Sequence, residues 1–142
     1  MKKFKIFTVL TIFLNLMIVI GAGHGIGILA IVETFGLAEI FNGNVHITFV
    51  GTYDERLYTS ALISLFAQVF LLTIIFIKND LLKLYSILFL LPVLLLSFII
   101  LTLEFTHSNV DKISFISGIP FLISAFYTFF LAITQIGIRK GN

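Results

Sequence analysis

The sequence contains no cysteine, no tryptophan and only two prolines among 142 residues. Without cysteine, this chain has no disulfide, thiolate metal site or thiol redox chemistry. Charged residues are scarce as well: they make up 11% of the chain, whereas a soluble domain carries about 25%. Because 59% of the residues are hydrophobic, a small core in water could not bury them all. The sequence therefore predicts a membrane protein.

The few charges exclude another class of partner. The net charge is only +2, and the basic residues lie in twos and threes along the chain. Nucleic acid binding needs a basic face, so we expect no nucleic acid partner. The bias toward Ile, Phe, Lys and Asn suggests an AT-rich genome, and the Met-Lys-Lys start is typical of a bacterial protein. The expected location is therefore the bacterial cytoplasmic (inner) membrane.

Four apolar stretches dominate the chain, over residues 4–32, 57–77, 81–103 and 113–138. Each is long enough to cross a hydrocarbon core of about 30 Å as a helix. Backbone groups in lipid must hydrogen-bond within their own segment, which favours helices. The prediction is an all-α protein, with residues 1–142 forming a single transmembrane domain of four helices. We interpret the first stretch as a retained anchor, because it is too long for a signal peptide.

The distribution of basic residues predicts the orientation. With four spans, one side of the membrane would hold both termini and the link between the second and third spans. That side carries seven basic residues and the other carries two, which places both termini in the cytoplasm. The seven are Lys2, Lys3, Lys5, Lys78, Lys83, Arg139 and Lys140; the two are Arg56 and Lys112.

The outer loop, residues 33–56, admits two interpretations. Asn42-Gly43 is a strong signal for a two-residue turn, and a β-hairpin around it would put alternate apolar residues on one face. The competing interpretation extends the first helix to Phe41 and uses Asn42-Gly43 as its C-cap. The sequence alone leaves both open.

A glycine patch stands out in the first span, at Gly21, Gly23, Gly25 and Gly27. Gly21 with Gly25, and Gly23 with Gly27, have the small-xxx-small spacing that lets another helix approach closely. We favour a helix-packing seam. The alternative is a break in the helix, with freed backbone groups lining a site beside His24.

Histidines give the only candidates for a metal or haem site. His24 is the one ionisable side chain predicted well inside a span, which makes it a candidate functional residue. Haem is not favoured, because no second span has a histidine at matching depth. Glu104 and His107 have the spacing of di-iron ligands, but such sites need two of these motifs and two further glutamates. Solvated loop residues are the favoured interpretation, and no cofactor is predicted.

Three polar residues fall near the predicted midplane. Asn15, Gln68 and Tyr127 each lie ~14–17 Å from the inner end of their span. They either hydrogen-bond across the bundle and hold the helices together, or line a polar path. We favour the first, because packing is the more frequent use of such residues.

No span carries a central charged residue by this assignment, which argues against an ion-coupled transporter. The function we favour is a non-enzymatic accessory or scaffold subunit of a larger membrane complex. Its partners would be the lipid bilayer and other membrane protein subunits, or further copies of itself. One alternative is an oligomeric transporter or channel for a neutral or weakly polar solute. The other is a membrane enzyme with a metal or redox cofactor.

Overall fold

The computed structural model describes residues 2–22, 25–42 and 47–140, and these are mostly helical. Within these residues, five helices and one two-stranded hairpin follow each other. They are α1 (Lys2–Leu16), β1 (Val19–Ala22), β2 (Gly25–Ile28), α2 (Leu29–Phe41), α3 (Tyr53–Ile75), α4 (Asp80–Leu101) and α5 (Asn109–Lys140).

Three of the helices, α3, α4 and α5, are long and apolar enough to cross a membrane. They coincide with the second, third and fourth predicted stretches to within about one helical turn. These helices identify an integral membrane protein. Four uninterrupted spans are not confirmed, because the first predicted stretch does not form one helix.

The first stretch breaks after Leu16. Residues 19–22 and 25–28 pair as an antiparallel hairpin, with Val19 opposite Ile28, and α2 starts directly after it. The prediction of a single helix over residues 4–32 is therefore wrong for its second half. The physical reason is composition: each glycine disfavours a helix by about 1 kcal/mol relative to alanine, and β-branched Val and Ile favour strands.

The bundle has two ends, which we name after a buried basic residue at each. The Arg56 end holds the starts of α3 and α5, and the Lys83 end holds the start of α4. Helix α1 runs antiparallel to α5, because Phe7 contacts Tyr127 and Thr11 contacts Ser124. The start of α1 and the end of α5 consequently lie together at the Lys83 end.

Helix α2 re-enters the bundle beside α3. The Leu29 N–H donates to the Ile18 carbonyl (2.9 Å), so α2 starts where α1 has just ended. It then runs toward the Arg56 end, where Gly36 lies against Tyr58. This path makes α2 a helix of the bundle with one buried face, which includes Val32, Glu33 and Gly36, and not part of an outer loop.

Helix α2 also decides between the two interpretations of residues 33–56. The helix continues to Phe41 and Asn42 follows it as a turn, so the hairpin interpretation is wrong for the segment before the turn. The structure agrees with the competing interpretation in ending the helix at Phe41, although that helix is α2 and not an extension of the first. Residues 43–46 lie outside the described residues.

The three long helices divide their apolar residues between core and surface. Leu71, Leu84, Leu91 and Leu94 are buried in one cluster, while aromatic residues such as Phe89 are largely exposed. A soluble protein rarely exposes so much contiguous apolar surface. Lipid is the solvent that fits this exterior.

Candidate functional site

A polar cluster lies in the interior where α1, α2 and α3 meet. Asn15 comes from the last turn of α1, Glu33 from the second turn of α2, and Ser64 and Gln68 from consecutive turns of α3. All four side chains are buried. We name these four residues the Glu33 cluster.

One nitrogen occupies the centre of the Glu33 cluster. The Gln68 Nε2 lies 2.7 Å from Asn15 Oδ1, 2.9 Å from Ser64 Oγ and 3.0 Å from Glu33 Oε1. The Ser64 hydroxyl in turn donates to Asn15 Oδ1 (2.6 Å). An amide nitrogen has two hydrogens, so three acceptors share two donors and the cluster is one hydrogen bond short.

The Glu33 cluster also leaves two buried atoms without a hydrogen-bond partner, Asn15 Nδ2 and Glu33 Oε2. Glu33 has no ion-pair partner among the described residues. The void beside Glu33 is lined mainly by apolar side chains and has no room for a water molecule. The cluster is therefore a dry site with unused donors and one unused carboxylate oxygen.

A second polar cluster closes the Arg56 end. Arg56 and Asp111 are both buried, and Arg56 Nη1 donates to Asp111 Oδ2 at 3.0 Å. The same nitrogen donates to the Ile100 carbonyl (3.1 Å), and Nε donates to the Gly51 carbonyl (3.2 Å). This arrangement joins α3, the end of α4 and the start of α5.

Two further residues complete the Arg56 end. Glu104 lies at the surface with an oxygen 3.6 Å from Arg56 Nη2, and its backbone N–H donates to Asp111 Oδ2 (3.0 Å). The Tyr53 ring lies 6.0 Å from the guanidinium carbon. The positive and negative charges here compensate each other, whereas the Glu33 cluster has no positively charged partner for its carboxyl group in the described part of the chain.

The predicted midplane layer is only partly brought together. Asn15 and Gln68 are hydrogen-bonded within the Glu33 cluster. Tyr127 is not part of that cluster: it is 44% exposed and its ring contacts Phe7. Instead of Tyr127, the hydroxyls of Ser124 and Thr128 face α1, where they lie 2.8 and 3.1 Å from the Thr11 hydroxyl.

Three glycines of the patch, Gly21, Gly25 and Gly27, lie on the hairpin and not on a helix. A Cβ at Gly21 would come within 2.5 Å of a Val110 side-chain carbon, so Gly21 permits close packing of β1 on α5. Gly25 has no neighbour within 4 Å, and the nearest atom to Gly27 is on Ile31 at 3.8 Å. Gly23 lies outside the described residues. Among the glycines placed, only Gly21 marks a tight contact between elements.

Of the three predicted metal candidates, the structure describes Glu104 and His107. Glu104 and His107 are exposed, and the His107 backbone N–H donates to the Glu104 carbonyl (2.9 Å). His24 lies outside the described residues. Within the part of the chain that the structure describes, no group of three or more His, Asp or Glu side chains could hold a metal.

Sequence reasoning missed Glu33, Ser64 and the pairing of Arg56 with Asp111. Glu33 follows the first apolar stretch directly and was assigned to the outer loop. The signal that could have found it is the glycine patch, because a chain that turns back there carries residue 33 into the bundle. Ser64 precedes Gln68 by four residues, which puts both on one helix face.

No protein-family model, curated protein sequence or solved structure is significantly similar to this chain.

Proposed function

We propose that the protein is an accessory or scaffold subunit of a larger assembly in the bacterial cytoplasmic membrane. In this proposal the chain crosses the membrane four times, with α1, the hairpin and α2 together making the first crossing. Both termini would lie in the cytoplasm, because the seven basic residues at the Lys83 end outnumber the two at the other end. Partner subunits would bind the part of the chain that its own fold leaves incomplete.

The observation that carries the proposal is the open edge of β2. The Leu29 N–H donates to the Ile18 carbonyl, so these two opposite residues form a hydrogen-bonded pair. Hydrogen-bonded and non-hydrogen-bonded pairs alternate along antiparallel strands. By the register of the hairpin, the next hydrogen-bonded pair is therefore Ile20 with Gly27. The backbone groups of Val19 and Gly21 then point away from β2, and those of Ile26 point away from β1.

The two edges of the hairpin differ in how they are satisfied. On the β1 edge, the Val19 N–H donates to the Ser117 hydroxyl (2.9 Å) and the Gly21 N–H donates to the Tyr53 hydroxyl (3.2 Å). On the β2 edge, the Ile26 backbone has no partner among the described residues, and its side chain is 75% exposed. An unpaired strand edge is unfavourable in lipid. An extended segment of another chain would supply the missing partners by adding a strand.

A proline substitution tests this assignment. Ile26→Pro removes the outward N–H and leaves the bonds between β1 and β2 intact, whereas Ile26→Val keeps the N–H and serves as the matched control. We expect the wild type and Ile26→Val to migrate on native gels as one stoichiometric complex after mild extraction from their own membrane. Ile26→Pro should release the free chain from that complex.

Two results would overturn the proposal. One is a wild-type chain that is isolated alone from its native membrane, folded and without any stoichiometric partner. The other is a complex that Ile26→Pro and Ile26→Val retain equally, because β2 would then have no role in assembly.

A second candidate function, transport of a small neutral or weakly polar solute, is favoured by the unused polar groups of Asn15 and Glu33. Transport would require the interior to open, because the void beside Glu33 holds no water. Solute flux into liposomes that contain only this chain, reduced in Asn15→Leu, would support transport. The absence of flux together with a native complex would support the scaffold.

A further inference from the structure

Among the described residues two carboxyl groups are buried, Glu33 and Asp111, and they differ in how their charge would be compensated. Asp111 accepts a hydrogen bond from a guanidinium. Glu33 accepts one from the neutral amide of Gln68, and its other oxygen has no partner. The charge of an ionised Glu33 would therefore be uncompensated, which is strongly unfavourable in an apolar interior.

The surroundings of Glu33 limit what could compensate such a charge. Tyr58 is the titratable group that lines the void beside it. On α3 the neutral Gln68 donates to Glu33, and Gln68 is in turn hydrogen-bonded to the neutral Ser64 and Asn15. A hydrated cation does not fit, because the void has no room even for one water. A proton needs no such room.

We propose that Glu33 is a proton-binding site in the interior of the bundle. The bound proton lies on Oε2, the oxygen without a hydrogen-bond donor, while Oε1 accepts from Gln68. The neutral carboxyl then leaves one hydroxyl unpaired, which is far less unfavourable than an unpaired charge. Proton uptake and release at this site is independent of whether the chain assembles through β2.

The contact between α2 and α3 controls access to the site. Gly36 lies one turn from Glu33, and a Cβ there would be 3.1 Å from a ring carbon of Tyr58. Glycine thus lets α2 pack closely on α3 and keeps water from the carboxyl. Proton exchange requires α2 to separate from α3 at this contact.

Infrared spectroscopy of the full chain in lipid nanodiscs tests the proposal directly. A protonated carboxylic acid has a carbonyl stretch that ionised carboxylates lack and that shifts in D₂O. We expect wild-type protein at neutral pH to show such a band, and Glu33→Gln to lose it. Glu39→Gln, on the exposed face of α2, is the matched control and should keep it.

Gly36→Leu tests whether proton binding at Glu33 depends on the exclusion of water from the site. The larger side chain should move α2 away from Tyr58, hydrate Glu33 and remove the band at neutral pH, with helicity by circular dichroism unchanged. Gly36→Ala should have a smaller effect in the same direction.

Two outcomes would overturn the proposal. One is a folded wild-type protein without any Glu33-dependent band across the accessible pH range. The other is a band that Na⁺ removes at constant pH, because the site would then bind a metal cation in preference to a proton.

Discussion

The Glu33 cluster and the Arg56 end are both buried polar clusters, but they balance charge differently. At the Arg56 end a guanidinium faces Asp111 at 3.0 Å and the backbone carbonyls of two other residues. In the Glu33 cluster a carboxyl group faces only neutral groups of the cluster, among them the Gln68 amide. Each cluster leaves two buried polar atoms without a hydrogen-bond partner. At the Arg56 end these are Asp111 Oδ1 and Arg56 Nη2, which has only the ion pair with Glu104 at 3.6 Å; in the Glu33 cluster they are Asn15 Nδ2 and Glu33 Oε2.

This difference assigns separate roles to the two clusters. A buried ion pair is stable only while both partners are present, so the Arg56 end acts as a fixed joint between α3, α4 and α5. A cluster built around one carboxyl and neutral donors can change its proton content without losing a partner. We interpret the first as a structural joint and the second as the place where the bundle can respond to its surroundings.

The largest effect should come from breaking the joint. Asp111→Ala leaves Arg56 buried without its carboxylate, and we expect the free energy of unfolding in mixed micelles to fall by about 3–5 kcal/mol. Glu104→Ala removes the exposed partner at 3.6 Å and should cost only about 0–1 kcal/mol. Equal losses in the two variants would show that the buried pair is not the joint.

A smaller effect should follow from separating the hairpin from α5. Gly21→Leu places a side chain where Val110 lies within 2.5 Å of the new Cβ, and we expect a loss of about 1–3 kcal/mol in unfolding free energy from overpacking. Gly25→Leu meets no neighbour within 4 Å and is the control. Val110→Ala should restore part of the loss in Gly21→Leu. The Glu33-dependent infrared band should be unchanged; its disappearance would mean that the two regions are coupled.

The smallest effect should come from the Glu33 cluster itself. Ser64→Ala removes the interhelical hydrogen bond to Asn15 and the acceptor that Gln68 has within α3, while Gln68 still donates to the Asn15 oxygen. An interhelical bond of this kind contributes about 0.6 kcal/mol and at most about 1.7. Thr134→Ala, which removes a bond within α5 only, is the control and should leave the contact between helices intact. A loss in Ser64→Ala as large as that of Asp111→Ala would contradict the contrast between the clusters.

The site was accessible to sequence reasoning only in part. The number of residues from the inner end of each span predicts that Asn15 and Gln68 lie at a similar depth. This prediction holds because both spans are helical up to those residues and the rise per residue of a helix is fixed. The same count brought out Tyr127, which is on the outer face of α5, since depth gives no information about the direction of a side chain around the helix axis. Ser124 and Thr128 lie on the inner face of α5 and make the contacts to α1.

Glu33 shows why the rest could not be predicted. An unbroken helix over residues 4–32 would end before Glu33 and leave it in water. Because β1 and β2 pair antiparallel, α2 instead starts beside the end of α1 and lies in the bundle, where the carboxyl is buried against Gln68. The wrong prediction for one element thus assigned to the surface a carboxyl group that the structure places in the interior.

The sequence by itself determined that the exterior of the protein needs lipid and that three long helices form. Their apolar residues need lipid, and a backbone in lipid satisfies its hydrogen bonds within each segment, so both properties are local. Only the tertiary structure decided which polar side chains meet and which charges are compensated. Those outcomes depend on close packing between elements far apart in the chain, such as Gly21 on Val110 and Glu33 beside Gln68. No local pattern specifies such contacts.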